Sequence, residues 1–446
     1  MISKLREFFE QVIFQAVGMI KPSLKASRTF NPIRSIVDGL QPPKNHHKPF
    51  LNLALGDPTA HGLSPPTVLT DAVRECLERN CANGYLPSTG SAAARRAVAQ
   101  FSSLPQQIVS EDDVIIASGC SGALELVISV LIDPGDNLLV PKPGFPLYQV
   151  ITDSLGGSCR HYPLLPEADW EVDLEAMKRL IDSRTKAILI NNPSNPCGST
   201  FSAAHLQAIY DVAAAYNLPI IADEIYGGLV FRGSFTPIHT CTGQVPVLTL
   251  SGIAKEFVVP GWRVGWIVLH DKASGRLDEI RSGLRSLSQL IIGACSLLQA
   301  ALPRLLTPAA DSEDARALEL YMAEYKNILR NNAELCRTAC ADCPELRCLV
   351  PSGAMYAMIS VDVEKLTGIR DDADFAKQLL KEQNLVLLPG KCFGMDNYVR
   401  IITCPRSGDT IAEAFERMKE FVRSRVDERR NTSESPTPNK KQRAGE

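Results

Sequence analysis

One lysine in this sequence has neighbours that suit covalent chemistry with a carbonyl group. Lys255 lies in the segment SGIAKEFVVPGWRVGW, where Gly252 and Ala254 leave room beside its side chain. A lysine in a crowded, partly apolar pocket loses its charge more easily than one in water, so its amine can attack a carbonyl and hold a Schiff base. The turn at residues 260–261 allows Arg263 to return toward the same place and bind a phosphate. A solvated surface lysine is the alternative.

A second candidate site lies where a predicted strand meets a predicted helix. Residues 114–119 form an apolar run, and residues 121–131 are predicted to form the helix that follows. The small residues Gly119, Cys120 and Ser121 open this helix. Its free backbone amides and positive dipole end favour a phosphate, although a plain strand-to-helix turn would explain the same pattern.

The middle of the chain alternates apolar runs with helical stretches, which is typical of a parallel sheet covered by helices. The runs NLLVPK, AILINN, LPIIADEIY and VPVLTL end in polar or turn residues. Because open parallel sheets bind ligands beyond the carboxyl ends of their strands, we expect four residues near these ends at one edge: Phe145, Asn195, Asp223 and Tyr226. No GxGxxG or GxxxxGK[ST] motif follows these strands, which counts against NAD and ATP.

These separated residues fit one cofactor, pyridoxal phosphate. Its ring draws electrons from a substrate carbanion when a carboxylate faces the ring nitrogen, which is the role expected of Asp223. An isolated aspartate would be costly to bury, so it requires a partner. Tyr226 and Asn195 could donate to the phenolic oxygen of the ring. The turn at residues 119–121 would hold the phosphate, and Lys255 would bond the aldehyde.

The chain resembles the fold type I pyridoxal phosphate aminotransferases of class I/II over residues 21–423. The motifs ASGCSGA, PGFPLY, NNPSNPCGS, ADEIYG, AKEFVVPGWRVGW and PSGAMY occur in the order of that family. The resemblance implies an α/β fold, with a large domain whose mostly parallel sheet is flanked by helices and a smaller α+β domain. We predict an N-terminal arm with part of the small domain over 1–66, the large domain over 67–318, the small domain over 319–430 and a disordered tail over 431–446.

The resemblance also assigns roles to single residues. It implies that Lys255 carries the proton between the α carbon of the substrate and the cofactor, and that Phe145 stacks on the ring. The bond between Asn195 and Pro196 would be cis. Tyr85, in the loop NGYLPSTG, would reach the phosphate of the neighbouring subunit's cofactor. This arrangement implies a homodimer whose active sites are shared across the interface.

Arg400, in NYVRI, matches the arginine that binds the α-carboxylate of the substrate in this family. The backbone amide of Gly56 and the side chain of Asn195 would assist it. A planar carboxylate can accept two charge-assisted hydrogen bonds from arginine, which suits arginine better than lysine. Without the resemblance, a charge on an edge strand would explain Arg400 equally well.

One departure from the family bears on the choice of substrate. In aspartate aminotransferases a second arginine binds the side-chain carboxylate, at a distance beyond the lysine that corresponds to Gln289 here. Residues 286–292 contain no arginine, although Arg285 is adjacent. This difference favours aromatic or other apolar side chains over dicarboxylates, while glutamate or its oxo acid could still bind through a displaced residue.

We therefore predict a transaminase that moves the amino group of an aromatic L-amino acid to a 2-oxo acid in a ping-pong cycle. The expected donors are tyrosine and, with broad specificity, phenylalanine, methionine or alanine, and the expected acceptors are 2-oxoglutarate or pyruvate. A C–S lyase or an α-carbon synthase on the same scaffold is the first alternative, because the same residues would serve those reactions. A regulatory protein that binds the cofactor without catalysis is the second.

The composition is that of an ordinary globular protein with a large core. The 446 residues are 45% hydrophobic and 22% charged, with a formal net charge of -3, so a nucleic-acid partner is not expected. The early apolar stretch at residues 12–20 is too short to span a bilayer, and the helical spacing around it predicts an amphipathic arm. We expect a cytoplasmic location; mitochondrial import is the alternative, against which Glu7 and Glu10 count.

Thirteen cysteines without a secretion signal predict reduced thiols rather than a disulfide scaffold. Cys336, Cys340 and Cys343 recur at helical spacing, with Cys348 just beyond. Four thiolates could hold zinc, but a helix face of small buried residues explains the same spacing and is favoured. No metal is therefore expected.

Overall fold

A large mixed sheet carries the ends of most of the segments singled out above. The computed structural model describes residues 20–37, 41–273 and 275–433. The amphipathic arm predicted near the N-terminus and residues 434–446 of the predicted tail lie outside these ranges. None of the helices within them has an apolar stretch of the length that a membrane crossing requires.

Fourteen strands occur in the described part of the chain. They are β1 (Leu51–Asn52), β2 (Val114–Ala117), β3 (Asn137–Lys142), β4 (Ser158–Leu165), β5 (Glu171–Val172), β6 (Thr185–Asn191), β7 (Ile220–Asp223), β8 (Val247–Gly252), β9 (Gly265–His270), β10 (Leu346–Cys348), β11 (Tyr356–Val361), β12 (Leu385–Val386), β13 (Leu388–Pro389) and β14 (Tyr398–Ile402).

The large sheet has the order β2-β9-β8-β7-β6-β3-β4-β5. Within it β9 and β5 run antiparallel to their neighbours, and the other strands share one direction. The carboxyl ends of β6, β7 and β8 therefore meet at one edge, as the sequence predicts. The predicted mostly parallel sheet is confirmed.

Helices cover both faces of this sheet, and the side chains of β6 show how. Ile188 belongs to an apolar cluster with helix Ala203–Ala215, whereas Leu189 belongs to a cluster with helix Gly119–Leu131. Alternate residues of a strand point to opposite faces, so both faces of β6 are buried. The remaining α-helices of the described residues are Leu24–Arg28, Pro32–Val37, Thr67–Glu78, Ala92–Ser102, Leu147–Leu155, Leu174–Leu180, Ile253–Glu256, Asp278–Ser288, Ser296–Leu306, Glu313–Ala341, Asp372–Gln383 and Gly408–Ser433.

A smaller antiparallel sheet has the order β10-β11-β14-β13. The long helices Glu313–Ala341 and Gly408–Ser433 pack against it in one apolar cluster. β1 pairs in parallel with β12, which joins residues 51–52 to the chain around the small sheet. The predicted small α+β unit is thus present, and its exact domain boundaries remain a prediction.

Two segments differ from what the sequence predicts. Residues 21–49 are rich in Pro, Lys and His, which indicates an extended arm rather than a folded unit, yet they contain the short helices Leu24–Arg28 and Pro32–Val37. Ser23 starts the first helix by accepting a hydrogen bond from the amide of Ala26, a local signal that the Pro- and Lys-rich composition conceals. At the other end, helix Gly408–Ser433 continues three residues into the predicted tail.

The cysteine cluster lies in the core beside the small sheet. Cys336, Cys340 and Cys343 are buried in the cluster that joins helix Glu313–Ala341 to the small sheet. Burial raises the pKa of the Cys340 thiol to about 12. Among the described residues, no group of His, Cys, Asp and Glu is arranged as metal ligands. These positions favour the buried helix face over zinc ligands.

Candidate active site

One cavity of about 570 Å³ lies between the edge of the large sheet and the small sheet. Most of the predicted site residues line it together: Gly56, Cys120, Ser121, Phe145, Asn195, Asp223, Tyr226, Lys255, Arg263 and Arg400. Gly119 lies directly beside this group at the start of its helix. Tyr85 is the one predicted residue that the structure places elsewhere.

Lys255 enters the cavity from the short helix Ile253–Glu256, which begins directly after β8. A Cβ atom at residue 252 would lie 2.6 Å from the carbonyl oxygen of Val264, so Gly252 is what allows β8 and β9 to approach closely. The Nζ atom of Lys255 donates a hydrogen bond to the carbonyl oxygen of Gly56, 2.7 Å away. The amine is therefore held at the cavity wall.

Asp223, the last residue of β7, presents a buried carboxyl group to the cavity. Its Oδ2 accepts a hydrogen bond from the hydroxyl of Tyr148 at 2.7 Å, and its Oδ1 accepts one from the thiol of Cys120 at 3.7 Å. Burial raises the pKa of Asp223, and hydrogen bonds from Tyr148, Ile225 and Cys120 offset this only in part. Within the described residues it forms no ion pair, so the carboxyl group lacks a positive partner.

The start of helix Gly119–Leu131 and Arg263 form an anion-binding end of the cavity. Arg263 donates to the carbonyl oxygens of Pro260 at 2.8 Å and Ser118 at 3.3 Å. Gly119 has a φ of +75°, and a Cβ atom there would lie 2.5 Å from a guanidinium nitrogen of Arg263. The side chain of Ser118 does not cap the helix. The glycine, the unpaired amides and the guanidinium together leave room for a phosphate.

Two tyrosines meet edge to face at the side of the cavity. The ring centroids of Tyr226 and Tyr356 are 5.7 Å apart, and their hydroxyl oxygens are 2.9 Å apart. Burial raises the pKa of Tyr226 well above its usual range, so its hydroxyl keeps its proton. A hydroxyl that accepts from its neighbour can still donate to a ligand. The hydroxyl of Tyr226 can therefore still donate to a ring oxygen of the cofactor, which is the role that the sequence predicts.

Asn195 is fixed by its neighbours on two sides. Its backbone amide donates to Oδ1 of Asn191 at 2.7 Å, and its own Oδ1 accepts from Arg400 at 2.8 Å. The Asn195–Pro196 bond is cis, as expected. Since the oxygen of the side chain is taken by Arg400, its NH₂ group faces the cavity as a donor.

Arg400 is buried, with only 3% of its surface exposed. Its guanidinium lies between the rings of Tyr356 and Phe393, 4.3 and 4.8 Å from their centroids. β14 lies inside the small sheet, so the edge-strand explanation is wrong. Burial lowers the pKa of Arg400, and within the described residues no carboxylate pairs with it. A carboxylate in the cavity would supply the missing negative charge.

Tyr85 and the segment after helix Asp278–Ser288 lie on an exposed surface outside this cavity. Tyr85 is 97% exposed, and Leu290 and Ile291 are 79% and 71% exposed. A hydrogen bond of 2.9 Å between the hydroxyls of Ser288 and Ser88 joins the two segments. Their predicted roles toward a neighbouring subunit or a substrate side chain remain predictions.

The sequence interpretation missed several residues of the site. Tyr148 follows Phe145 by three residues in the motif PGFPLY, and the centroids of the two rings are 5.7 Å apart. Asn191 donates to the backbone carbonyl of Asp223 at 3.1 Å and thereby links β6 to β7. These two residues and Tyr356 all occur in motifs that were used for the resemblance. Their positions in those motifs were the signal that could have identified them as site residues.

The N-terminal segment is the larger omission. Asn31, Ile33 and Arg34, at the start of helix Pro32–Val37, line the same cavity as Lys255. The composition of residues 21–49 indicates only an extended arm. A helix of six residues gives almost no periodic signal, and its position depends on distant contacts that the local sequence does not reveal.

The geometry fits the cofactor that the sequence predicts. A protonated pyridine nitrogen would give Asp223 its missing partner, and a phosphate would occupy the space beside Gly119 and Arg263. An aldehyde between these two ends would lie within the same cavity as the amine of Lys255. The comparison with known proteins points to the same class. The family described as "Aminotransferase class I and II" matches residues 48–418, and the chain belongs to this family.

Similar proteins include several tyrosine aminotransferases. The tyrosine aminotransferase of Bos taurus is 43% identical over 406 residues, which cover 90% of this chain and 88% of that protein. That of Dictyostelium discoideum is 43% identical over 410 residues, covering 90% and 96%. The crystal structure of tyrosine aminotransferase from Leishmania infantum superposes with a TM-score of 0.85 at 34% identity, covering 92% and 99% of the two chains. The expected fold type and family are confirmed.

Proposed function

We propose that this protein is a pyridoxal phosphate-dependent aminotransferase that transfers the amino group of tyrosine and other aromatic amino acids to a 2-oxo acid. The proposal rests on one observation: the buried carboxyl of Asp223, the amine of Lys255 and the buried guanidinium of Arg400 line the same cavity. The names of the similar proteins favour tyrosine as the donor.

When bound, the cofactor supplies an electron-withdrawing ring that stabilises negative charge on the α carbon of the substrate. Asp223 would hold the proton on the ring nitrogen, because the pair removes the cost of its buried charge. Gly119, Ser121 and Arg263 would bind the phosphate. The amine of Lys255 would bond the aldehyde and, once released, take the proton from the α carbon and return it to the cofactor side.

The substrate would be oriented by its α-carboxylate. Arg400 is already fixed by the rings of Tyr356 and Phe393 and by Asn195, so little conformational entropy is lost when a carboxylate binds. The α C–H bond would then point toward Lys255. The aromatic or apolar nature of the side chain is favoured by the absence of arginine in residues 286–292.

Half-reactions of the holoenzyme test this function directly. Each amino acid is added without an acceptor, and loss of the visible cofactor band is followed together with the oxo acid formed. We expect tyrosine and phenylalanine to react faster than aspartate. Release of ammonia and pyruvate from a cysteine conjugate, without any acceptor, would instead identify a lyase. Absence of every amino acid-dependent spectral change would contradict catalysis.

A homodimer is the proposed assembly. Leu290, Ile291 and Tyr85 are exposed on two segments that the Ser288–Ser88 hydrogen bond joins. A second copy would cover them and bring Tyr85 toward the partner's phosphate. Sedimentation should give a dimer that a Leu290→Glu/Ile291→Glu variant dissociates. The control is Leu320→Glu, because Leu320 is equally apolar and 72% exposed but lies on helix Glu313–Ala341.

The cytoplasm remains the proposed location, with mitochondrial import as the alternative. The residues on which this rests, Glu7 and Glu10, lie outside the described ranges. Fluorescence of a C-terminal fusion of the full chain, compared with a mitochondrial dye, would decide between the two. A chain that starts at residue 21 provides the control, since it lacks the segment that would direct import.

A further inference from the structure

A second cavity, of about 330 Å³, lies outside the active site, where helix Glu313–Ala341 faces the loop before helix Thr67–Glu78. The long helix contributes a face of residues three and four positions apart, the loop contributes residues 63–67, and Arg406 completes the wall. None of these residues lines the active-site cavity. The second cavity is therefore a candidate binding site that the proposed function does not use.

Two tyrosine hydroxyls at the second cavity have unused hydrogen-bonding capacity. Tyr321 and Tyr325 are one helical turn apart, and their ring centroids are separated by 6.3 Å. Tyr325 is 2% exposed, and within the described residues neither buried hydroxyl has a hydrogen-bond partner. Burial raises the pKa of Tyr325 well above its usual range, so its hydroxyl keeps its proton and can donate. A ligand with a hydrogen-bond acceptor would satisfy it.

The charges at the second cavity are balanced. Of the described residues, one cation and one anion line it, and Nη2 of Arg406 donates to Oε1 of Glu324 at 3.2 Å. Both side chains are more than half exposed, so a ligand can replace this ion pair at small cost. A simple carboxylate would take Arg406 and place its own negative charge beside Glu324. A zwitterion instead gives each residue a partner of opposite charge.

Much of the remaining wall is apolar. Leu63 and Pro65 of the loop and Leu320 and Ile328 of the long helix contribute to it. Such a wall accepts an aliphatic side chain, and the volume is at the lower end of the range of small-molecule sites, which is roughly 300–1,000 Å³. Size, charge and polarity thus describe one kind of ligand, a small zwitterion with an apolar side chain.

We propose that the second cavity binds a free amino acid with an apolar side chain, such as leucine. Its carboxylate would bind Arg406 and a tyrosine hydroxyl, and its ammonium group would bind Glu324. The amide of Arg406 donates to the carbonyl oxygen of His61 at 3.0 Å, in the loop that leads back to Gly56. The site therefore adjoins the loop that holds the amine of Lys255, and its ligand binds in addition to any substrate.

Calorimetry of the holoenzyme after borohydride reduction measures this binding, because the reduced cofactor is fixed on Lys255 and added leucine cannot react. Arg406→Met and Glu324→Gln should each weaken one leucine site at least about 10-fold, and Tyr325→Phe about 3- to 10-fold. Arg400→Lys should leave this site unchanged. If Arg400→Lys abolishes all leucine binding, or if the unmodified protein binds none, the proposal is wrong.

Two probes that each lack one charged group test the zwitterion directly. 4-Methylpentanoate is leucine without the ammonium group, and 3-methylbutylamine is leucine without the carboxylate. In the Arg400→Lys protein, where binding at the active site is weakened, each probe should bind at least about 10-fold more weakly than leucine. A probe that binds as tightly as leucine would contradict the proposal.

Arg337→Met is the matched control for Arg406→Met. Arg337 also pairs with a glutamate of the long helix, Glu334, but it does not line the second cavity. Its affinity for leucine should equal that of the unmodified protein. Equal weakening in both variants would show that a general loss of positive charge, rather than the cavity, lowers the affinity. The result does not depend on which amino acid reacts at Lys255.

Discussion

The two ends of the cavity are built in different ways. The cofactor end is formed by residues at the carboxyl ends of buried strands, such as Asp223 after β7 and Lys255 after β8. The other end is lined by residues of helix Pro32–Val37, which belongs to neither sheet. Asp223 is 3% exposed, whereas Arg34 is exposed and is fixed through the apolar contacts of its neighbours.

This difference in construction matches a difference between what all substrates share, the reacting α carbon, and what distinguishes them, the side chain. Proton transfer at the α carbon requires fixed distances, which strand ends in a large sheet provide. Recognition of a side chain requires contacts that can accept more than one shape, and a short peripheral segment provides those at small cost. Substitutions at the cofactor end should therefore affect every substrate equally, and substitutions at the other end should not.

The largest effect is expected for Lys255→Ala. Loss of the amine removes both the covalent bond to the cofactor and the group that moves the proton, so every half-reaction should slow by at least about 1,000-fold. Rapid mixing with tyrosine and with alanine measures this. Lys178→Ala, an exposed lysine paired with Glu175 at 2.7 Å, is the control. If the half-reaction of only one amino acid became slower, the two ends of the cavity would not have separate roles.

Asp223→Asn should have the next largest effect. The amide can still accept from Tyr148 but cannot neutralise a protonated ring nitrogen, so the ring would stabilise negative charge on the α carbon less well. We expect about 100- to 1,000-fold slower half-reactions for every amino acid. The visible spectrum of the bound cofactor should change as well. An unaltered spectrum together with normal rates would contradict the contact of Asp223 with the cofactor.

Much of the cofactor end could be predicted from the sequence because its residues follow apolar runs directly. Asp223 and Lys255 lie at strand ends, and parallel strands bring their carboxyl ends to one edge, so their proximity follows from the pattern. Tyr148 was missed because its contact with Asp223 depends on the angle at which helix Leu147–Leu155 leaves its loop. That angle is a product of tertiary packing, which the local sequence does not specify.

The substrate end could not be predicted in the same way. Helix Pro32–Val37 is short, and its place depends on the packing of Ile33 and Ile36 against residues some 350 positions later, such as Val386 and Phe393. No periodic pattern encodes a contact at that separation.

Arg400→Lys tests the arginine that is proposed to bind the α-carboxylate. Lysine keeps the charge but loses the planar fork and the stacking between Tyr356 and Phe393. We expect kcat/KM to fall about 10- to 100-fold for all amino acids and oxo acids alike, since all carry an α-carboxylate. If Arg400→Lys discriminated between 2-oxoglutarate and pyruvate, Arg400 would not bind the carboxylate that both acids share.

The smallest effect concerns the stability of the cofactor end. Glu256, next to Lys255, accepts a hydrogen bond from the amide of Gly228 at 2.5 Å and so ties the lysine helix to the loop after Tyr226. Burial raises the pKa of Glu256 to about 7, although Lys326 opposes the shift. The folded protein thus holds a proton that the unfolded chain has already lost above a pH of about 4.5.

The sign of the pH dependence follows from this proton. Stability from Glu256 is fully present below a pH of about 4.5 and is lost as the pH rises to about 7, at about 1 kcal/mol per pH unit. Glu256→Gln keeps the acceptor and cannot titrate. Urea unfolding at pH 5, 6 and 7 should therefore show the unmodified protein losing stability relative to the variant. A constant difference would mean that this carboxyl does not titrate in that range, and the cofactor end would then keep its rigidity at every pH tested.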